Sequence, residues 1–410
     1  MSAMAVLILS NPVLYSLELT PACNNRCRGC YNVFADERAR PPLTLEGWRR
    51  ILERIKPHAH LVKLTGGEPT LYPYFEGIVT QLRELDISFS LFTNGCWSAP
   101  ERLVAFLKTV PQLRGLLISL HGATPAAHEA FSGVPGSFKR TVTNIRRATE
   151  AGLPVTISAV IHRRNLDQIQ AILALTRNLG ADHVAFNRYL GPRDPAIEPT
   201  DRQLRQAVLM IEALRQDGAP VKFGNCIPQC FVESSSTGCL SGVAYCTIDP
   251  GGNMRPCNHS PLKCGNLLAQ SVEEAWQSAE MQRWRGMVPA VCHLCTAFPQ
   301  CHGGCRAMAV ELGLEKDPLA GAPLIAAQSP PERITLYEGL HPVGAYQLRE
   351  EEFGYVLMRG NRIVPVAFAH KAVLDACNGQ TTLKEIGADF GAEGLGLVAM
   401  LARKGVIELR

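Results

Sequence analysis

The pattern of apolar and polar positions in the first half of the chain predicts short strands joined by amphipathic helices. After each apolar run, apolar residues recur every three to four positions, as on one face of a helix. One helix is expected to begin behind Thr44, a good N-cap residue, with Trp48, Ile51 and Ile55 on its buried face. The six predicted strands are Leu14–Leu19, Leu61–Thr65, Ile87–Phe92, Gly115–Ser119, Val155–Val160 and His183–Asn187.

Six strand–helix units predict an α/β fold with a parallel sheet, because each strand reaches the next through a crossover helix. We expect an open, partial (β/α)6 barrel of the TIM type, with ligands at the carboxyl ends of its strands. From about Val221 the alternation of strands and helices ends, and a segment rich in Cys, Gly, Pro and Ser follows. With so little periodic structure, we expect this segment to be stabilised by bound metal. A small winged-helix-like α+β domain closes the chain. The expected domains cover residues 1–220, 221–325 and 326–410.

Composition narrows the function classes. The 410 residues are 46% hydrophobic and 19% charged, which is typical of a globular protein with a sizeable core. A net charge of +4 gives no reason to expect nucleic acid or a membrane surface as a partner. The N-terminal apolar run Ala5–Leu9 is too short to span a bilayer and lacks a basic leader. We therefore expect a cytoplasmic protein.

The fifteen cysteines are unevenly distributed, with three at positions 23–30 and ten between 226 and 305. Because disulfides are rare in a reducing compartment, clustered cysteines favour metal sites. Cys96 and Cys377 stand alone, and we interpret them as structural thiols, since free cysteine packs as a small apolar residue.

The first cysteine cluster, Cys23-x3-Cys27-x2-Cys30, follows the first predicted strand directly. Three thiolates on one tight loop can hold three irons of a [4Fe–4S] cube and leave the fourth iron open. Structural zinc is the rival interpretation, but zinc normally requires a fourth protein ligand nearby. The second strand leads directly into Gly66-Gly67-Glu68-Pro69, where two glycines allow the backbone to approach a ligand closely.

Together with Thr93-Asn94-Gly95 and Ser119-Leu120-His121-Gly122, which follow the third and fourth strands, these motifs resemble the radical S-adenosylmethionine (SAM) superfamily over roughly residues 13–220. The resemblance implies that SAM chelates the open iron and is cleaved to a 5′-deoxyadenosyl radical that takes hydrogen from a substrate. Catalysis would depend on the three cysteines. The implied SAM contacts are Gly66, Gly67, Glu68, Pro69, Asn94, Ser119, Asn187 and Arg188, with Tyr31 in place of the aromatic that many relatives carry where this chain has Gly29.

The second cysteine field contains Cys292-x2-Cys295-x5-Cys301-x3-Cys305. Two zinc knuckles would fit this spacing alone. Beside a radical SAM barrel, the field resembles the SPASM extension over about residues 225–320, which implies one or two auxiliary iron–sulfur clusters. By resemblance, auxiliary cluster I uses Cys239, Cys246, Cys257 and Cys305, and auxiliary cluster II uses Cys292, Cys295 and Cys301.

The resemblance also implies a last cysteine after an Asp-Pro pair, but Ala320 stands at that place here. The fourth ligand of auxiliary cluster II is therefore unknown, and Asp317, His293 and His302 are possible substitutes. Cys226, Cys230 and Cys264 are surplus to the scheme, and we favour a structural role for Cys226 and Cys230. The auxiliary clusters could accept an electron from a substrate radical or bind substrate through an open iron.

The last 80 residues or so resemble PqqD-like domains, also called RiPP recognition elements, through residues 372–379 and 381–386. Such domains bind the leader of a ribosomal precursor peptide as an added strand. A DNA-binding winged helix is the alternative. From Glu332 onward, however, nine Arg or Lys stand against ten Asp or Glu, and DNA binding requires a basic face.

The sequence thus predicts a radical SAM enzyme that installs a crosslink or another oxidative modification in a precursor peptide. Its expected partners are that peptide and a one-electron reductant such as flavodoxin or ferredoxin. A sulfatase-maturase-like or tetrapyrrole side-chain enzyme is the first alternative, although Asn258 replaces the Asp base that sulfatase maturases carry there. An iron–sulfur sensor that regulates transcription is the non-enzyme alternative.

Overall fold

The computed structural model describes residues 6–30, 32–235, 238–325 and 336–410. Tyr31, one of the implied SAM contacts, and residue 326, where the last expected domain begins, lie outside this part of the chain. The described residues form two compact units. The larger unit contains residues 11–325, and the smaller one contains residues 7–10 and 336–410.

The larger unit is built around one ten-stranded sheet. Its strands are β1 (Leu14–Glu18), β2 (Leu61–Thr65), β3 (Phe89–Thr93), β4 (Leu113–Ser119), β5 (Val155–Val160), β6 (His183–Asn187), β7 (Val221–Phe223), β8 (Tyr245–Ile248), β9 (Asn253–Arg255) and β10 (Gly265–Asn266). They lie in the order β10-β9-β8-β1-β2-β3-β4-β5-β6-β7. Strands β1 to β7 pair in parallel, β8 pairs with β1 in parallel, and β9 and β10 run antiparallel. This mostly parallel sheet confirms the predicted α/β class.

Helices follow most of the parallel strands and form the outer layer. They are α1 (Leu45–Ile55), α2 (Phe75–Glu84), α3 (Pro100–Leu107), α4 (Pro125–Ser132), α5 (Ser137–Glu150), α6 (Ile169–Asn178), α7 (Asp201–Gln216), α8 (Val272–Trp276), α9 (Ala279–Gly286), α10 (Phe298–Cys301) and α11 (Arg306–Glu311). The Thr44 hydroxyl caps α1 by accepting from the Gly47 N–H, and Trp48, Ile51 and Ile55 are buried, as predicted.

The strands send alternate side chains to opposite faces of the sheet, which separates the apolar core from a more polar interior. In β1, Tyr15 and Leu17 belong to the main apolar core between sheet and helices. Ser16 and Glu18 point to the other face and are buried there. Lys63 of β2 lies on the same face as Glu18, with its Nζ 5.0 Å from the centre of the Tyr245 ring. The barrel interior is therefore lined by polar groups.

The sheet extends beyond the six predicted strands, and three of the additional strands come from the cysteine-rich segment. Strand β8 pairs with β1 from Leu14 opposite Tyr245 to Leu17 opposite Ile248. Strands β7 to β10 contain two to four residues each, too few for an alternating pattern to stand out in the sequence. The barrel and the cysteine-rich segment consequently share one sheet.

The smaller unit contains β11 (Pro342–Gly344), β12 (Gln347–Glu351), β13 (Gly354–Arg359), β14 (Arg362–Val366), α12 (Lys371–Ala376), α13 (Leu383–Arg403) and β15 (Ile407–Leu409). Strands β12, β13 and β14 form an antiparallel sheet in that order, and β11 pairs with β15. A capping box of Thr382 and Glu385 starts α13, and Gly391 breaks its helical geometry at φ 62°.

No helix in the described ranges is both long enough and apolar enough to cross a membrane.

Candidate functional site

The loop after β1 carries Cys23, Cys27 and Cys30, and backbone hydrogen bonds tie it to the end of α4. The Arg26 N–H donates to the Ser132 carbonyl and the Arg28 N–H to the Phe131 carbonyl, both at 2.9 Å. The Cys30 N–H donates to the Cys27 carbonyl at 3.1 Å and closes a tight turn. The loop thus has a defined conformation that holds three cysteines at the carboxyl end of the first strand.

The three thiols of this loop are electrostatic neighbours. Burial raises the pKa of Cys27, and the thiols of Cys30 and Cys23 raise it further. Burial also raises the pKa of Cys23, while the Asn25 N–H, 3.4 Å from the Cys23 sulfur, lowers it. Because iron binds thiolates, cluster assembly here must release protons. Three adjacent thiols on one loop fit a [4Fe–4S] cluster with one open iron.

The Gly66-Gly67-Glu68-Pro69 turn packs directly against the start of the cysteine loop. A Cβ at Gly67 would lie 2.3 Å from the Ala22 carbonyl oxygen, so only glycine fits. The Gly67 N–H donates to Thr20 and the Glu68 N–H to Ala22, both at 2.7 Å. The structure therefore brings the first two family motifs together at the carboxyl ends of β1 and β2.

Glu68, one of the implied SAM contacts, makes several hydrogen bonds within the protein. Its carboxylate is fully buried and accepts from the Thr93 hydroxyl at 2.8 Å and the Asn94 N–H at 2.7 Å. The hydroxyl and N–H of Thr70 donate to the same carboxylate. Burial raises the pKa of Glu68, and these four donors oppose the rise. Glu68 thus joins the loops after β2 and β3 through hydrogen bonds to Thr93 and Asn94.

Asn94 lies beside the cysteine loop, as the sequence predicted for a residue of the SAM site. Its Nδ2 donates to the Asn24 side chain at 2.7 Å and lies 3.8 Å from the Cys23 sulfur. Pro69 begins a buried 3-10 turn. Ser119 ends β4. Asn187 ends β6, and its Nδ2 donates to the Ser158 Oγ of the neighbouring strand β5 at 3.0 Å. These residues share the carboxyl edge of the sheet.

Arg188 is a correction to the predicted SAM contacts. Its guanidinium forms a buried bidentate pair with Asp317, with N–O distances of 2.8 and 3.0 Å. Asp317 also accepts from the Cys305 N–H at 2.7 Å and the Leu319 N–H at 2.9 Å. These bonds hold the Arg188 guanidinium beside the second cysteine field. They also use both oxygens of Asp317, one of the substitutes considered for the missing ligand.

Two aromatic rings pack against the cysteine loop at Gly29. A Cβ there would lie 2.6 Å from the Tyr189 ring and 2.7 Å from the Phe131 ring. These rings leave no room for the aromatic residue that many relatives carry at this place. Burial raises the pKa of Tyr189 to about 12, and its hydroxyl donates to the Pro192 carbonyl at 2.5 Å.

Behind Phe131 lies a buried group of three histidines, which we call the histidine cluster: His121, His128 and His162. Of these three, only His121 belongs to a motif that stands out in the sequence, although His162 also lies two residues after the end of β5. In each ring Nδ1 accepts a hydrogen bond from a backbone N–H. The donor is Val160 for His121, His121 for His128, and Arg164 for His162. Burial lowers the pKa of His128 and of His162 to about 4, and that of His121 well below its usual value. All three rings are therefore neutral.

In the second cysteine field, the structure brings together Cys239, Cys257 and Cys305, the first auxiliary group. Burial raises the pKa of Cys257, and the neighbouring thiols Cys239 and Cys305 raise it further. Cys246 is a correction, because it is fully buried on β8 and its electrostatic neighbour is Cys264. It pairs in register with the core residue Tyr15, so the alternation of β8 sends its side chain into the apolar core.

Cys292, Cys295 and Cys301, the second auxiliary group, line one small cavity. Burial raises the pKa of Cys292 to about 11, with further contributions from neighbouring thiols. His302 is held elsewhere, with ring nitrogens bonded to the carbonyls of Cys239 and Pro299. Nowhere in the described residues do three His, Cys, Asp or Glu side chains converge as closely as the ligands of a single metal ion. Thiolates of an iron–sulfur cube bind different irons.

A cavity of about 640 Å³ adjoins the first cysteine loop. Cys27 and Cys30 line it together with charged side chains, among them Arg26, Asp36 and Glu311. Its volume is within the range of small-molecule sites, roughly 300–1,000 Å³. The arrangement can therefore place a ligand directly beside two of the three cluster cysteines.

Comparison with known proteins agrees with this geometry. Residues 17–176 match the radical SAM superfamily, and residues 239–302 match the SPASM iron–sulfur cluster-binding domain. An AdoMet-dependent heme synthase from Methanosarcina barkeri is 27% identical over 327 residues, which cover 73% of this chain and 92% of that protein. A PqqA peptide cyclase from Xanthomonas axonopodis pv. citri is 26% identical over 372 residues, which cover 87% of this chain and 97% of that protein.

Among solved structures, Streptococcus suis SuiB bound to the precursor peptide SuiA shares the fold, with a TM-score of 0.63 and 18% sequence identity. The match covers 76% of each chain. The two domain matches confirm the predicted cofactors, because a radical SAM domain implies SAM and a [4Fe–4S] cluster and a SPASM domain implies auxiliary clusters. The chain therefore contains a radical SAM domain and a SPASM iron–sulfur cluster-binding domain, and it is an enzyme.

Proposed function

We propose that this enzyme modifies a ribosomally made precursor peptide by installing a crosslink or another oxidative change. When bound, the [4Fe–4S] cluster and SAM supply a 5′-deoxyadenosyl radical able to abstract hydrogen. Cys23, Cys27 and Cys30 would hold that cluster, and the loops carrying Gly66, Gly67 and Asn94 would position SAM. The observation that carries the peptide substrate is the extent of the match to a PqqA peptide cyclase, 87% of this chain.

The cavity beside the first cysteine loop supports this proposal. Its charged lining suits a polar peptide backbone better than a purely apolar substrate. It adjoins Cys27 and Cys30, so a side chain inserted there would lie close to the SAM site. Ser119 and Asn187, at the same edge of the sheet, would complete the polar surroundings of SAM.

The C-terminal unit is proposed to bind the leader of the precursor peptide as a PqqD-like domain does. In the described residues β14 is an edge strand that pairs only with β13. An extended peptide can add to such an edge through main-chain hydrogen bonds. The proposed domain limits remain residues 1–220, 221–325 and 326–410, with a cytoplasmic location and an external one-electron reductant.

A tetrapyrrole substrate is the second candidate, favoured by the match to an AdoMet-dependent heme synthase. That match accounts for 92% of the heme synthase but only 73% of this chain. The rest of this chain lies outside the alignment with the heme synthase. The match to the Xanthomonas axonopodis pv. citri peptide cyclase extends further along this chain. For this reason we rank the peptide first.

The test is an anaerobic reaction of the reconstituted enzyme with SAM, a strong reductant and a short peptide encoded beside its gene, followed by mass spectrometry. A product lighter by two hydrogens is expected, and the Cys27→Ala variant should give none. Production of 5′-deoxyadenosine with an unchanged peptide, together with conversion of a tetrapyrrole carboxylate, would replace the first candidate by the second.

A further inference from the structure

We propose that Cys226 and Cys230 are cluster ligands, one for each auxiliary cluster. Cys226 completes a four-thiol set with the first auxiliary group, and Cys230 completes another with the second auxiliary group. A single loop after β7, with three residues between its two cysteines, would then join both clusters. This assignment rests on the iron–sulfur domain and is independent of the peptide substrate.

The Cys226 thiol lies among the thiols of the first auxiliary group. It is buried and interacts through side-chain hydrogen bonds with both Cys239 and Cys305. Two arginines add positive charge there, since Arg306 lies close to Cys239 and Arg188 lies close to Cys305. Such charges stabilise thiolates, and therefore a thiolate-ligated cluster.

The Cys230 thiol shares the cavity of the second auxiliary group. All four sulfur-bearing residues line this one cavity, whose other lining residues include Val291 and Phe298. The Gly321 N–H donates to the Cys230 sulfur at 3.2 Å, and backbone N–H groups also reach the Cys301 sulfur. N–H donors to sulfur are among the features that tune protein-bound iron–sulfur clusters. The cavity therefore contains four thiols with the environment that a cluster requires.

Ala320 lines the same cavity as Cys230. Ala320 stands where the family pattern expects the last cysteine. A cysteine at position 320 and the thiol of Cys230 would therefore belong to the same site. The carboxylate of Asp317 is already bonded to Arg188, Cys305 and Leu319. A cysteine from the loop after β7 thus takes the place of one that would otherwise follow the Asp-Pro pair.

The turn between the two groups explains how neighbouring cysteines reach different clusters. Gly303 and Gly304 both adopt left-handed backbone conformations, with φ 81° and 84°. A Cβ at Gly304 would lie 2.7 Å from the Asp317 carboxylate. This sharp turn lets Cys301 face the second auxiliary group and Cys305 face the first.

With four cysteines each, neither auxiliary cluster would have an iron left open for substrate. Of the two roles that the sequence leaves open, the assignment therefore favours electron transfer over direct substrate binding.

The assignment is tested with the full-length, anaerobically reconstituted protein and the variants Cys230→Ala and Cys246→Ala. Iron and acid-labile sulfide are counted per chain, and the oxidised proteins are examined by electron paramagnetic resonance. Three cubes give about 12 irons per chain in the wild type. Cys230→Ala is expected to contain between about one and four fewer irons per chain than the wild type. If only one iron is lost from the cluster, the remaining three-iron cluster should give an electron paramagnetic resonance signal. Cys246→Ala should keep the full complement.

The double variant Cys230→Ala, Ala320→Cys separates loss of a ligand from misfolding. It returns a thiol to the same cavity and is expected to restore the wild-type iron content and remove the three-iron signal. Full iron content in Cys230→Ala without that signal would overturn the proposal. So would a three-iron signal in Cys246→Ala. Neither readout requires turnover or a peptide, so failure of the proposed function would leave the result unaffected.

Discussion

The buried pair of Arg188 and Asp317 links the carboxyl end of β6 to the second cysteine field. Removing one partner of a buried ion pair leaves an uncompensated charge and costs about 3–5 kcal/mol. We expect Asp317→Ala to lower the free energy of unfolding by this amount in anaerobic denaturant titrations. Arg102→Met is the control, because Arg102 and Glu76 form an exposed pair whose attraction is screened by water. Equal losses in the two variants would contradict a supporting role for Asp317.

Gly29 is the residue at which ring packing limits the cysteine loop. A methyl group there would meet the edges of the Tyr189 and Phe131 rings, and overpacking of this kind costs about 1–3 kcal/mol. We expect Gly29→Ala to lower iron incorporation in a background without the auxiliary clusters. Gly286→Ala is the matched control, since no atom lies within 4 Å of its added Cβ. Normal iron incorporation in Gly29→Ala would show that the Tyr189 and Phe131 rings can move to accommodate the methyl group.

At the scale of secondary-structure elements, the histidine cluster joins β4, α4 and the end of β5. Its histidines have a lower pKa in the folded state than the usual 6.5, so below that value the unfolded state binds more protons. The stabilisation is complete above pH 6.5 and is lost as the pH falls toward 4. Each histidine contributes a slope of up to about 1.4 kcal/mol per pH unit.

We therefore expect the free energy of unfolding to fall between pH 7 and pH 5, a window chosen above most carboxylate titrations. His128→Asn, whose side-chain oxygen can still accept the His121 N–H, should show a shallower slope. Identical slopes for wild type and variant would mean that His128 has the same pKa in the folded and unfolded states.

The edge strand β14 is where the proposed leader would bind. Hydrogen–deuterium exchange of the full-length protein should show slower exchange at residues 362–366 when the precursor peptide is added, because an added strand would protect outward-facing backbone N–H groups. Residues of α7 serve as the internal reference. Unchanged exchange throughout residues 336–410 in the presence of saturating peptide would argue against leader binding by this unit.

Long periodic elements were predictable, and short ones were not. Strands β2, β5 and β6 match their predicted limits because each has enough apolar positions for the pattern to show. Strand β8 has only four residues, and its pairing with β1 depends on contacts more than 200 positions apart in sequence. The Cys246 assignment failed for this reason, since spacing alone gives no indication that its side chain points into the core.

At the scale of the whole molecule, the sequence motifs predicted the class of chemistry better than the ligand sets. The first cysteine loop and the glycine turn are each formed by residues close in sequence, so the spacing of those residues predicts which of them lie together in the structure. The second field is assembled from distant segments, and the positions of Cys226 and Cys230 depend on how the loop after β7 folds. Glu68 and Arg188 likewise turned out to hold loops together, because each found buried partners that no local pattern specifies.

The most direct test of the central claim is to follow hydrogen from a peptide into 5′-deoxyadenosine. The reconstituted enzyme would be given SAM, reductant and a precursor peptide labelled with deuterium at its carbon positions. The account predicts 5′-deoxyadenosine that carries deuterium, with none formed by Cys27→Ala. Turnover that yields only unlabelled 5′-deoxyadenosine from a fully labelled peptide would contradict hydrogen abstraction from the peptide.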